Sequence, residues 1–234
     1  MLKRANILLG LAILLACVPA FAPRVLAQRG GMGMGMMPPS MNGLWNPVVG
    51  SGVAYEQTTK DGAKHVLTMA VISKEDSDGK PGYWMEFQTG DEGKQMTSQM
   101  LMVKSSDTMS FAKVIVQQPG QPPMLISGAM MGMMAARGGS APPAPKADVH
   151  DGAEVVGTES VTTPAGTFTC EHLRTKDGGN VWITPKLSPW GLVKSASPDG
   201  STMVAIRVIT DAKSHITGTP VPIEQMMGGR RGQN

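Results

Sequence analysis

Residues 155–219 read VVGTESVTTPAGTFTCEHLRTKDGGNVWITPKLSPWGLVKSASPDGSTMVAIRVITDAKSHITGT. Short runs rich in Val, Ile, Thr and aromatic residues alternate there with PAG, KDGG, TPKLSP and SPDG. β-Branched and aromatic side chains suit a pleated surface, while Gly, Pro and Asp supply the backbone angles of tight turns. The alternation predicts an antiparallel meander, strand and turn in quick succession. Residues 153–163 and 167–176 flank the turn Pro164-Ala165-Gly166, and 181–184 follow the loop 177–180. Residues 191–196 lead through Ser197-Pro198-Asp199-Gly200 into 202–211, where Val204, Ile206 and Val208 share one face.

Upstream the pattern repeats less cleanly. Residues 53–59 read as a strand, closed by Lys60-Asp61-Gly62 with its Asp-Gly hairpin signal. Residues 64–73 (KHVLTMAVIS) are apolar on both faces, as in a strand covered on both sides, and the polar run 74–82 reads as a connection. Residues 83–89 (YWMEFQT) set Tyr83, Met85 and Phe87 against Trp84, Glu86 and Gln88, the period of a half-buried strand. Residues 94–104 fit helical spacing through Met96, Met100 and Val103, and strand spacing through Met100, Met102 and Lys104. The strand reading is taken because its neighbours are strands, 108–117 among them. Residues 118–147 form a Met/Gly/Pro-rich loop whose Ala-Met stretch 129–136 suits one or two helical turns, limited by Gly132 and Gly138-Gly139.

The N-terminus has the form of a targeting segment, with Lys3 and Arg4 before an apolar run at 7–18 and small residues up to Ala27. The run is shorter than the roughly 20 residues of a membrane span. The favoured reading is a signal peptide at 1–27, giving a protein exported to the periplasm or beyond. Beside it stands a lipid anchor at Cys17, because Leu14-Leu15-Ala16-Cys17 resembles a lipobox. Removing 1–27 takes away three of the 21 basic residues and no acid, leaving 18 of each. A neutral chain has no electrostatic footprint for nucleic acid. Cys170 is then the only cysteine, so no intramolecular disulfide forms, and stability must come from burial in a core rich in Met, Val, Ile and Leu.

The expected architecture is all-β: one curved antiparallel sheet, half-barrel or sandwich, of about ten strands with one short helix at most. It occupies a single domain at 50–219, between a disordered Gly/Met/Pro-rich leader at 28–49 and a disordered tail at 220–234.

No G-x-S-x-G or H-E-x-x-H occurs, and no carboxylate pair stands out, so the expectation is a non-enzymatic protein without a cofactor. Cys170 and His172 fall on one face of a strand and are the start of a metal site only if further ligands join them. Without such ligands in the sequence, Cys170 reads as a small buried hydrophobe beside Phe168. Two Met clusters, Met32, Met34, Met36, Met37 and Met41, then Met130, Met131, Met133 and Met134, set soft thioethers close together. Thioethers select Cu(I), although neither cluster contains His or Cys.

Gly157-Thr158-Glu159, residues 163–170, 181–185, 191–194 and 209–220, with GKPGYWMEF at 79–87, resemble secreted bacterial families of unknown function. Those families resemble, more distantly, the periplasmic LolA/LolB/RseB-like carriers. That resemblance implies a curved half-barrel whose concave face takes an acyl chain or a lipoprotein segment. On this reading Trp84, Trp182, Met69, Met85 and Met203 are the expected lining, and the partner is a lipid, another apolar small molecule or an envelope protein. The alternatives are Cu(I) capture by the Met clusters and a structural envelope protein with no small ligand.

Overall fold

A computed structural model describes residues 43–90, 95–106, 108–136 and 147–228. Twelve strands form one sheet: β1 (Gly52–Thr58), β2 (Lys64–Ser77), β3 (Lys80–Thr89), β4 (Met96–Ser105), β5 (Thr108–Gln117), β6 (Met124–Ser127), β7 (Ala153–Thr163), β8 (Gly166–Thr175), β9 (Asn180–Ile183), β10 (Leu192–Ala196), β11 (Thr202–Ile209) and β12 (Val221–Pro222). Two short helices accompany them, α1 (Gly128–Ala136) after β6 and α2 (Ile223–Gly228) after β12. The order across the sheet is β12-β6-β5-β4-β3-β2-β1-β11-β10-β9-β8-β7. Every neighbouring pair is antiparallel except β12 with β6. The sheet is open and curved. The meander read at 153–211 is its right half in sequence, and β1 pairing with β11 joins the two halves.

Several elements differ from the sequence reading, each for a local reason. The polar run 74–77 continues β2 instead of leaving it, and the hairpin closes at Asp78-Gly79, whose φ angles are 50° and 75°. Positive φ at both central residues is the two-residue turn that matches strand twist. Polar side chains here signal an exposed strand end, not a loop. β6 and β12, of four and two residues, are too short for a period to show. β12 and α2 occupy 221–228, inside the expected disordered tail.

The leader is likewise seated from residue 43 onward. Leu44 N–H donates to Trp190 O (2.8 Å), Trp45 N–H to Ala147 O (3.0 Å) and Val149 N–H to Gly43 O (3.1 Å). Gly43 lies so close to the Trp190 backbone that a Cβ there would collide with its carbonyl oxygen. Trp45 packs at 4.7 Å on Trp190 and edge-on at 6.1 Å on Tyr83. Aromatic burial of this size holds a Gly-poor, Pro-containing segment that composition alone reads as loose.

One hydrophobic cluster runs along one face of the sheet and draws on both halves of the chain. Its rows follow from register: Val71, Met85, Met100, Val114 and Ile126 stand side by side across five strands. Val53, Met69 and Phe87 form the next row, and Leu173, Val181, Ile183, Met203 and Ala205 carry the cluster on to β11 and β8. On the opposite face a smaller cluster of Trp84, Leu101 and Ile115 is covered by Ile216. Ile216 belongs to the segment 210–220, which crosses from β11 to β12 over that face.

Candidate functional site

Met69, Met85 and Met203 lie on the core face and are buried in the large cluster, beside Met100, Met102 and Met109. Unbranched thioether side chains adapt their shape, so this is a plastic apolar interior. α1 lies against β5 and β6, starting from Ser127, whose hydroxyl accepts the Met130 N–H (3.3 Å). Its Met130 and Met131 pack on the cluster but are only partly buried, as is Phe111 on β5; Met96 is partly buried at the far end of β4, opposite Thr89. Partly buried side chains thus border the core at α1, as they do at Trp45, Tyr83, Phe168 and Trp182.

Of the two tryptophans expected to share this lining, Trp84 lies on the other face and Trp182 reaches only the margin of the cluster. Trp84 neighbours Met85 on β3, so strand alternation sends it to the other face, into the cluster with Leu101 and Ile115. Its Nε1–H donates to Glu75 Oε2 (2.7 Å), and Glu75 also holds Lys113 Nζ at 2.6 Å. Lys113 first, then the indole, draws the Glu75 carboxyl below its ordinary range. Trp182 sits between Val181 and Ile183 at the margin of the large cluster. In register with it stand His172, stacked at 4.5 Å, and Lys194, whose Nζ lies 4.9 Å from the ring centre. The Trp182 Nε1–H donates to Glu159. Trp182 is thus a rung in a ladder of polar and aromatic side chains.

Among the described residues no third ligand joins the Cys170–His172 pair. Cys170 is fully buried and its thiol donates to Phe168 O (3.6 Å). Burial, then the Glu159 charge, pushes the thiol up to about 11, so the reactive thiolate is scarce at neutral pH. His172 gives its ring nitrogens to Asn180 Oδ1 (2.9 Å) and Glu159 Oε1 (3.2 Å). Among the described residues no group of three or more His, Cys, Asp or Glu is placed to hold a metal. For the thioether clusters, Met130 and Met131 pack inward and Met133 is half exposed. Met32, Met34, Met36, Met37, Met41 and the side chain of Met134 lie outside the described residues.

Two ionic clusters escaped sequence reading because their partners are distant in the chain. On the face opposite the core, Glu86 is 3% exposed and accepts from Gln99 Nε2 (2.8 Å), His215 N–H (2.9 Å) and His215 Nδ1 (2.7 Å). Gln99 also reaches Ser214 Oγ (2.6 Å), and Gln117 bonds the backbone of Thr217 in both directions. These contacts clamp the segment 210–220 to β3, β4 and β5. At the start of β7, His150 bridges Asp148 Oδ1 (Nδ1, 2.5 Å) and Glu171 Oε2 (Nε2, 2.9 Å).

The second cluster predicts a pH dependence. Hydrogen bonds from Glu171 and Asp148 raise the His150 pKa above its ordinary 6.5. Asp148 is pushed up by burial, but its bonds to the His150 backbone and ring outweigh this and lower it below 3.8. The raised His favours folding below 6.5 and loses that contribution as pH climbs through its folded value; the lowered Asp loses its own as pH falls through its folded value. The melting temperatures of the parent and His150→Gln should therefore differ most at about pH 5–6 and converge on the alkaline side. A difference that grows above neutrality would contradict this.

No protein-family model and no curated protein sequence matches the chain. Among solved structures it is similar to a "putative lipoprotein" from Parabacteroides distasonis, at 14% identity and TM-score 0.36, over 71% of this chain and 98% of that one. It is also similar to a "putative exported protein with YmcC-like fold" from Bacteroides fragilis, at 16% identity and TM-score 0.34, over 71% of this chain and 99% of that one. Superpositions this loose carry nothing about activity.

Proposed function

We propose that the chain is an exported cell-envelope protein that binds an apolar ligand, an acyl chain or a lipoprotein segment, without catalysing a reaction on it. The ligand enters at the α1 margin, between Met130 and Met131 on the helix and Phe111 with the row of Met85 and Met100 on the sheet. The observation that carries this reading is the pairing of a thioether-rich core face with a short helix whose inward side chains are only partly buried on it. Thioethers repack around a guest at little cost, so a helix resting on them yields space that a close-packed Leu/Ile core would not. The targeting segment at 1–27 supports export, and the neutral mature charge suits an uncharged ligand.

Native mass spectrometry of the exported chain, purified without detergent, tests it. The expected result is an adduct of lipid mass that is lost on denaturation and much reduced in Met131→Asp, which sets a charge at the margin without touching the sheet. A bare polypeptide in both forms, unchanged by added fatty acid, would overturn the proposal.

A further inference from the structure

The two strands that end the sheet are built differently. β12 is two residues long, contains Pro222 and passes at once into α2. Short edges and proline are how sheets avoid pairing with other chains. β7 is 11 residues long, pairs among the described residues only with β8, and exposes seven consecutive positions, 154–160. It has no lysine and no proline, and Val155 and Val156 stand 54% and 47% exposed. Its one irregularity, at Val156, leaves the stretch from Gly157 to Thr163 in regular register with β8.

The direction of the backbone groups on that stretch follows from the hairpin. Thr163 and Gly166 flank a two-residue loop and are the hydrogen-bonded pair that closes it. Pairs alternate from there, so Val161 and Glu159 turn their N–H and C=O toward β8, while Thr158, Ser160 and Thr162 turn theirs to the open edge. The contact of Thr162 Oγ1 with Thr167 Oγ1 at 3.0 Å fits the closer side-chain approach of a non-hydrogen-bonded pair.

We infer that this edge is an interface for a second copy of the same chain, the two β7 strands pairing antiparallel about a two-fold axis at Ser160. The segment Thr158-Glu159-Ser160-Val161-Thr162 has the same hydroxyl pattern read in either direction. The axis sets Ser160 against its own counterpart and Thr158 against the counterpart of Thr162, and cross-strand Thr pairs are favourable. All three residues present outward backbone groups, which is what a hydrogen-bonded ladder needs. Charge does not oppose the contact. Glu159 faces the counterpart of Val161, and its carboxylate is already engaged by Trp182 and His172 of its own chain. A two-fold, self-complementary patch is the usual form of a homodimer interface.

Light scattering on the full chain, expressed with its own leader, decides the matter when set against the intact mass of the same sample. The expected value is twice the chain mass, falling to one chain mass in Ser160→Pro. Proline there removes an outward N–H and spares the β8 ladder, so circular dichroism and the melting temperature should hold. Should that variant fail to fold, Ser160→Lys supplies the same test through charge repulsion. In Ser160→Cys a disulfide between copies is expected on standing in air, with dissolved oxygen taking the two electrons and two protons of the thiols, because hydrogen-bonded antiparallel pairs stand about 5.5 Å apart at Cα, within disulfide reach. A monomeric parent at about 100 µM, far above any useful dissociation constant, overturns the inference. So does a dimer that survives both Ser160→Pro and Ser160→Lys.

Discussion

Replacing Trp190 by alanine is expected to destabilise the protein by about 3–5 kcal/mol, the cost of emptying a large buried aromatic site. Trp190 is among the largest fully buried side chains, and it ties residues 43–45 to the stretch just before β10. Its ring packs on Trp45, its carbonyl accepts the Leu44 N–H, and Gly43 lies directly on its backbone. Removal of the indole therefore leaves a cavity and loosens the segment that seals this end of the core. The indole N–H is buried without an acceptor among the described residues, so Trp190→Phe removes an unpaired polar group along with some volume. It should cost only about 1 kcal/mol, since the lost packing is partly offset. Urea unfolding separates the two: the midpoint should fall far more in Trp190→Ala, with the slope unchanged. Equal midpoints for the two variants would show that Trp190 does not anchor the N-terminal segment.

Glu86→Ala is expected to cost about 2–3 kcal/mol, the loss of charged hydrogen bonds at a buried acceptor moderated by solvent access to its partner. His215 is the exposed member of the pair, with 60% of its side chain open, while Glu86 is covered. The effect should be local. Among the described residues the segment 210–220 has no ladder partners on this face and is held by Glu86, Gln99, Gln117, the Ala212 N–H bond to Gly50 O and the packing of Ile216. Hydrogen exchange at the amides of His215 and its neighbours should accelerate strongly, while β3 and β4 keep their protection. Uniform acceleration across the sheet, or none at His215, would refute the clamp.

Much of the strand set was legible. Residues 53–59, 64–73, 83–89, 108–117 and 153–163 all carry a period or a turn signal, and each is a strand in the structure. The face of Trp84 was legible as well, because period two separates it from Met85, yet its aromatic character suggested a shared lining. Residues 43–49 misled in the other direction: Trp45 near Gly and Pro reads as low complexity until Trp190 and Tyr83 are brought beside it. His150 with Glu171, and Glu86 with His215, lie 21 and 129 residues apart and leave no local trace.

By itself the amino-acid order determined the β class and the methionine-rich interior, because propensity, turn chemistry and composition act over a few residues. Tertiary structure alone decided that β1 joins β11, that β12 returns in parallel to β6, and that among the described residues β7 pairs on one edge only. Those choices depend on which long-range pairing buries the shared apolar face with its polar backbone satisfied. That is a property of the assembled sheet, to which no single stretch has access.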